Sequence, residues 1–140
     1  MTKWLSTINR KTVFTFVFLI FTVFSFTAIA ENLCTTVNSA ILIAQDDKET
    51  YLGKISSPFD GESIFNEYGT YGSQYSSNSI WNQYTTFGSA YSSYSPFSKY
   101  SSSPPIIIKN KKIIGYLSAN KSFSNSVSPD LLKALCKDEL

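Results

Sequence analysis

Histidine is absent from this chain of 140 residues. Its absence excludes imidazole metal sites, Ser-His-Asp and Cys-His triads, and any imidazole proton shuttle. Cysteine occurs only twice and no C-x-x-C exists, which leaves no redox motif. Charge is scarce, at 16% of residues, and nearly balanced, with 12 Lys+Arg against 10 Asp+Glu. Lys3, Arg10 and Lys11 all lie in the first dozen residues; from Glu31 onward 9 Lys meet 10 acids, a net charge of −1. That part of the chain lacks the basic footprint of a nucleic-acid-binding protein. Serine is abundant, yet no G-x-S-x-G elbow occurs and no glycine-rich phosphate loop follows a strand. One long apolar run is present, and a mean hydropathy of −0.05 does not suit several membrane spans.

That run is Val13 to Ala30, uncharged, preceded by a basic segment and closed by Ala28-Ile29-Ala30 before Glu31. A basic head, an apolar middle and an A-x-A end are the parts of a secretory signal peptide, with Ala28 and Ala30 as the small residues and cleavage before Glu31. If it stays uncleaved, its eighteen residues reach the lower limit for a membrane anchor. The expected organisation is therefore a signal peptide over 1–30 and one small exported domain over 31–140, periplasmic or extracellular. In that oxidising setting Cys34 and Cys136 form one disulfide joining the two ends of the domain. The last four residues, Lys137-Asp138-Glu139-Leu140, spell an ER-retention address, so residence in the ER lumen is the alternative location if the source is eukaryotic.

Short apolar runs predict strands. Ala40–Ala44 and Thr50–Ile55 flank a charged turn, Asp46-Asp47-Lys48-Glu49, and read as a hairpin. Ile106–Lys109 and Lys112–Leu117 flank Asn110-Lys111 and read as a second. Leu52-Gly53-Lys54-Ile55-Ser56 is echoed by Ile114-Gly115-Tyr116-Leu117-Ser118. Ser128-Pro129-Asp130 opens a short C-terminal helix whose apolar face is Leu131, Leu132 and Leu135.

Between the hairpins lies a Tyr/Ser-rich repeat region, 63–103. Residues 63–78 and 79–94 agree at 10 of 16 positions, and a degenerate third copy starts at Ser95. Gly and Ser punctuate the unit and its apolar spacing is not helical. Ser and Asn can cap local backbone N–H groups, so an ordered coil of turns laid over the sheet is expected, with its rings inward. The fold class is thus small and mainly β: two hairpins flanking an irregular aromatic repeat, with a short C-terminal helix.

The phrases Tyr51-Leu52-Gly53-Lys54-Ile55-Ser56 and Ser63-Ile64, Asn66, Tyr68-Gly69-Thr70-Tyr71-Gly72-Ser73 resemble a set of small exported bacterial proteins with no assigned activity. Those proteins repeat YLGxLSxN and SIxNxYGxYGSxYS phrases. The likeness covers about 50–127 and departs at Thr85, where the pattern has Gly, and at Phe59, where it often has Tyr. It implies a bacterial source, which weakens the ER reading, and it implies no chemistry.

The remaining candidates are few. Asp60-Gly61-Glu62 could supply a carboxylate pair for a glycan hydrolase, or oxygen ligands for Ca²⁺, but a plain turn fits the sequence better. Neither catalytic nor metal-ligating residues are assigned, and no cofactor is expected. Trp81, Phe65, Tyr84 and Tyr91 are the candidate binding rings for a protein or glycan surface, because an aromatic ring offers a flat apolar face with a polar edge. The expected function is an exported, non-enzymatic, structural or surface-binding protein; ER residence and glycan hydrolysis are the alternatives.

Overall fold

Three isoleucines before Lys109, and the Ile-Ile pair after Lys112, place β-branched side chains on both arms of a hairpin. The computed structural model describes residues 32–140; the signal peptide expected over 1–30, with Ala28 and Ala30, and the first residue of the expected domain, Glu31, lie outside the described residues. Strands β1 (Ile41–Ile43), β2 (Tyr51–Lys54), β3 (Ile106–Lys109), β4 (Lys112–Leu117) and β5 (Ser126–Val127) form one sheet in the order β2-β1-β3-β4-β5. All pairings are antiparallel except β4 with β5. Both expected hairpins exist, and the second turns through Asn110 and Lys111 at φ 52° and 63°, as a two-residue hairpin turn requires. The first turn is closed by Asp46, whose carboxylate accepts from the Thr50 amide at 2.8 Å and the Thr50 hydroxyl at 2.6 Å.

The sequence echo has a structural counterpart. Leu42 lies opposite Gly53 and Ile107 opposite Gly115, while Leu42 and Ile107 face each other where β1 meets β3. The two hairpins are therefore related by a local two-fold through that central pair. On the outer side of each hairpin the chain returns in parallel: Lys54 bridges to Ser63, and Tyr116 pairs with Ser126. Strand β5 was not expected, since two residues carry no legible period.

Two short helices pack on this sheet. Residues 32–37 form α1, which was expected only as a polar start; Cys34 and Val37, three residues apart, supply its buried face. Helix α2 (Pro129–Cys136) starts as expected, with Ser128 accepting from the Leu131 amide at 3.1 Å and Pro129 at its first turn. Leu132 is fully buried and Leu135 packs on the core, but Leu131 is 47% exposed and does not belong to the apolar face. The two helices are joined by the Cys34–Cys136 disulfide across 102 residues of chain. The core combines Leu42, Leu52, Ile55 and Leu117 from the sheet strands and the residues that follow them with Ile64 and Ile80 from the repeats.

Candidate functional site

The repeat region is a spiral of consecutive turns. The amide of the fourth residue of each turn donates to the carbonyl of the first: Asn66 to Ser63, Gly69 to Asn66, Ser76 to Ser73, Ser79 to Ser76, Asn82 to Ser79. At Gly69 and Thr85 the step lengthens by one, with Ser73 donating to Gly69 and Ser89 to Thr85. Four three-residue steps and one four-residue step make the period of sixteen. The lengthened step brings Gly72 and Gly88 against the backbone of Asn66 and Asn82.

Six of these turns are locked by their first side chain. Ser63 accepts from the amide of Phe65 at 3.0 Å, Asn66 from Tyr68 at 3.1 Å, Ser73 from Tyr75, Ser79 from Trp81, Asn82 from Tyr84 and Ser89 from Tyr91. These are Asx- and ST-turns, and they explain the recurring triplet of a small polar residue, any residue, then an aromatic. The Asn amides also reach back across the spiral, Asn66 Nδ2 to the Asp60 carbonyl at 3.2 Å and Asn82 Nδ2 to that of Ser76 at 3.1 Å. Among the described residues, no buried side-chain nitrogen or oxygen lacks a hydrogen-bond partner.

The expected inward orientation of the rings is corrected for five of the eleven between Phe65 and Tyr100. Phe59, Tyr75 and Tyr91 stand sixteen residues apart and are 84–96% exposed. Tyr68, Tyr84 and Tyr100 stand sixteen apart and are 88–100% exposed. The reason is volume. Buried Ser63, Ser79 and Ser95 fill the inside of the spiral, and a ring has no room there. Two columns turn toward the core: that at 65, 81 and 97, beside Ile64, Ile80 and Pro96, and that at 71 and 87, where Tyr71 meets Tyr51 of β2 edge-on at 5.0 Å.

The sequence-derived candidates therefore separate. Tyr84 and Tyr91 lie on the outer columns. Phe65, 2% exposed, belongs to the core and is withdrawn as a binding ring. Trp81 is half-buried: its indole N–H donates to the Ile64 carbonyl at 2.6 Å, its ring meets Phe97 edge-on at 5.6 Å, and Lys133 Nζ sits 4.5 Å from its centroid. Four outer rings, Phe59, Tyr68, Tyr75 and Tyr100, were not singled out from the sequence, although the sixteen-residue offset from Tyr84 and Tyr91 identifies them.

Asp60 and Glu62 are brought into a structural cluster rather than a cleft. Asp60 pairs with Lys54 at 2.5 Å, accepts from the Ser56 hydroxyl at 3.0 Å and caps the Glu62 amide at 2.9 Å. The Lys54 contact, then the Glu62 amide, hold its carboxyl down to about 2, the reverse of what a general acid needs. Because its folded-state pKa lies below the unfolded value, its bonds stabilise fully above about pH 4 and are lost as pH falls toward 2. Thermal melts should therefore fall between pH 6 and pH 2, and Asp60→Asn should melt lower at pH 6 with a shallower acid dependence. Tyr51, beside this cluster, is pushed up to about 12 by burial and by the Glu62 carboxylate.

Ser118-Ala119-Asn120-Lys121 spells an S-x-x-K, but Ser118 is 3% exposed and its hydroxyl caps the Asn120 amide at 3.0 Å. The K-D-E-L tail is not free: Lys137 pairs with Glu67 at 2.7 Å and Leu140 packs on the core. Among the described residues no group of three His, Cys, Asp or Glu could hold a metal, and no helix is long and apolar enough to cross a membrane. The disulfide is compatible with export. The chain matches no protein-family model, no curated protein and no solved structure.

Proposed function

We propose that the chain is an exported, non-enzymatic protein that attaches to an extended surface through its outer aromatic columns. The observation that carries this reading is the exposure, at a spacing of sixteen residues, of Phe59, Tyr75 and Tyr91 and of Tyr68, Tyr84 and Tyr100. Large rings left in water contribute little to folding, and six of them in register form a multivalent face suited to a partner that is itself repetitive. Tyrosine suits such a face because its two side-chain torsions lose little freedom on contact.

The test is adsorption to insoluble polysaccharides (cellulose, chitin, pectate gel) and to a protein film. The protein should be retained on at least one of them. A variant with all six outer rings changed to Ser should lose that retention while keeping its melting temperature within a few degrees. Equal retention by the six-ring variant, or no adsorption by the parent protein, would overturn the reading.

A further inference from the structure

The two full repeats differ at six positions, and two of the first copy's distinctive residues cluster in space. Glu67 and Gln74, which the second copy replaces by Gln83 and Ala90, line one cleft of about 650 Å³ together with Trp81, the second copy's counterpart of Phe65. Tyr68 and Tyr75, one from each outer column, form its aromatic walls, and Lys133 of α2 closes it. A second cleft of about 340 Å³ lies on the other side of Tyr68; it shares Glu67 and is bounded by Phe59 and Lys137. Lys133 and Lys137 are four residues apart and so lie on one face of the helical turn. The result is a groove that alternates rings with charged groups.

The charges in this groove do not cancel. Glu67 is engaged by Lys137 at 2.7 Å, a contact that holds its carboxyl below the usual carboxylate range. Lys133 makes no ion pair among the described residues, and its ammonium rests over the Trp81 ring. One positive charge is thus left for a ligand. Gln74 is held in place by donating to the Tyr75 hydroxyl at 3.0 Å, and its amide oxygen can still accept from a sugar hydroxyl.

Resting on the reading that the outer rings are a binding face, we infer that this groove takes a linear glycan carrying carboxylates. Sugar C–H faces stack on Tyr68 and Tyr75, Gln74 accepts from a ring hydroxyl, and Lys133 takes a uronate carboxylate. The capping residues Ser63, Asn66 and Ser73 recur as Ser79, Asn82 and Ser89, whereas Glu67 and Gln74 of the groove do not recur. An uncharged sugar chain would leave the Lys133 ammonium without a counter-charge.

The test compares two forms of one polymer by titration calorimetry: polygalacturonate and its fully methyl-esterified form, which keeps the stacking faces and removes the charge. The protein should bind the acidic form more tightly. Lys133→Gln should weaken that binding about tenfold and leave the ester nearly unchanged, as loss of one charge pair would. Lys133→Arg should restore the preference. Tyr84→Ser with Tyr100→Ser, outside the groove, should leave the acid-to-ester ratio intact. Equal affinity for the two forms, or a Lys133→Gln variant that binds polygalacturonate like the parent, overturns the groove assignment; the surface reading then stands or falls on its own adsorption test. Absence of binding to either form overturns the assignment as well.

Discussion

Gly72→Ala and Gly88→Ala each unfold or severely weaken the protein. A Cβ at position 72 would overlap the carbonyl oxygen of Asn66 and lie 2.5 Å from its carbonyl carbon. At position 88 it would overlap the carbonyl oxygen of Asn82 and come within 2.8 Å of that of Ile80. The obstacles are backbone atoms, themselves held in turns, so no side chain can swing aside. The expected loss is about 3 kcal/mol or more for each, at the upper end of overpacking effects. Gly61→Ala is the control, because nothing lies within 4 Å of its added methyl. It should change stability by no more than about 0.5 kcal/mol. Urea unfolding of the three variants measures the difference.

Replacing both cysteines by serine has the second large effect. The bridge joins α1 to α2 across 102 residues, and chain entropy alone assigns such a loop up to about 4–5 kcal/mol. The domain is small, and much of it is turn rather than regular structure, so a loss of that size approaches its whole stability. The double variant should show a lower urea midpoint, and the parent protein in reductant should follow it. A midpoint unchanged by either treatment would mean that the sheet and spiral hold the ends together without the bridge.

The strands were legible because isoleucine runs and a two-residue Asn-Lys turn leave few options. Helix α2 was legible through its cap, Ser128-Pro129-Asp130. Helix α1 was hidden by polar residues, since Cys34 and Val37 alone mark its buried side. The period of sixteen was visible, but the triplet inside it was the more informative signal. Small polar, any, aromatic recurs at Ser63-Ile64-Phe65, Asn66-Glu67-Tyr68, Ser73-Gln74-Tyr75 and onward. Taken as turns capped by their first side chain, those triplets place the polar residue inside and most rings outside. Ordinary hydrophobic patterning gives the opposite answer, because it assigns the interior to the largest apolar groups. Here the interior is small and must satisfy backbone N–H groups, so serine and asparagine win it. The groove was not legible at all, since Lys133 meets Trp81 and Glu67 meets Lys137 only through the return of α2 over the spiral.

The direction in which the tyrosines point is the claim on which the rest depends. Nitration by tetranitromethane, mapped by peptide mass on the folded protein, measures it directly. Tyr68, Tyr75, Tyr84, Tyr91 and Tyr100 should be nitrated first, and Tyr51, Tyr71, Tyr94 and Tyr116, all partly buried, should lag behind them. Early nitration of Tyr51 and Tyr71 with protection of the five outer rings would contradict the account, because it would turn the spiral inside out.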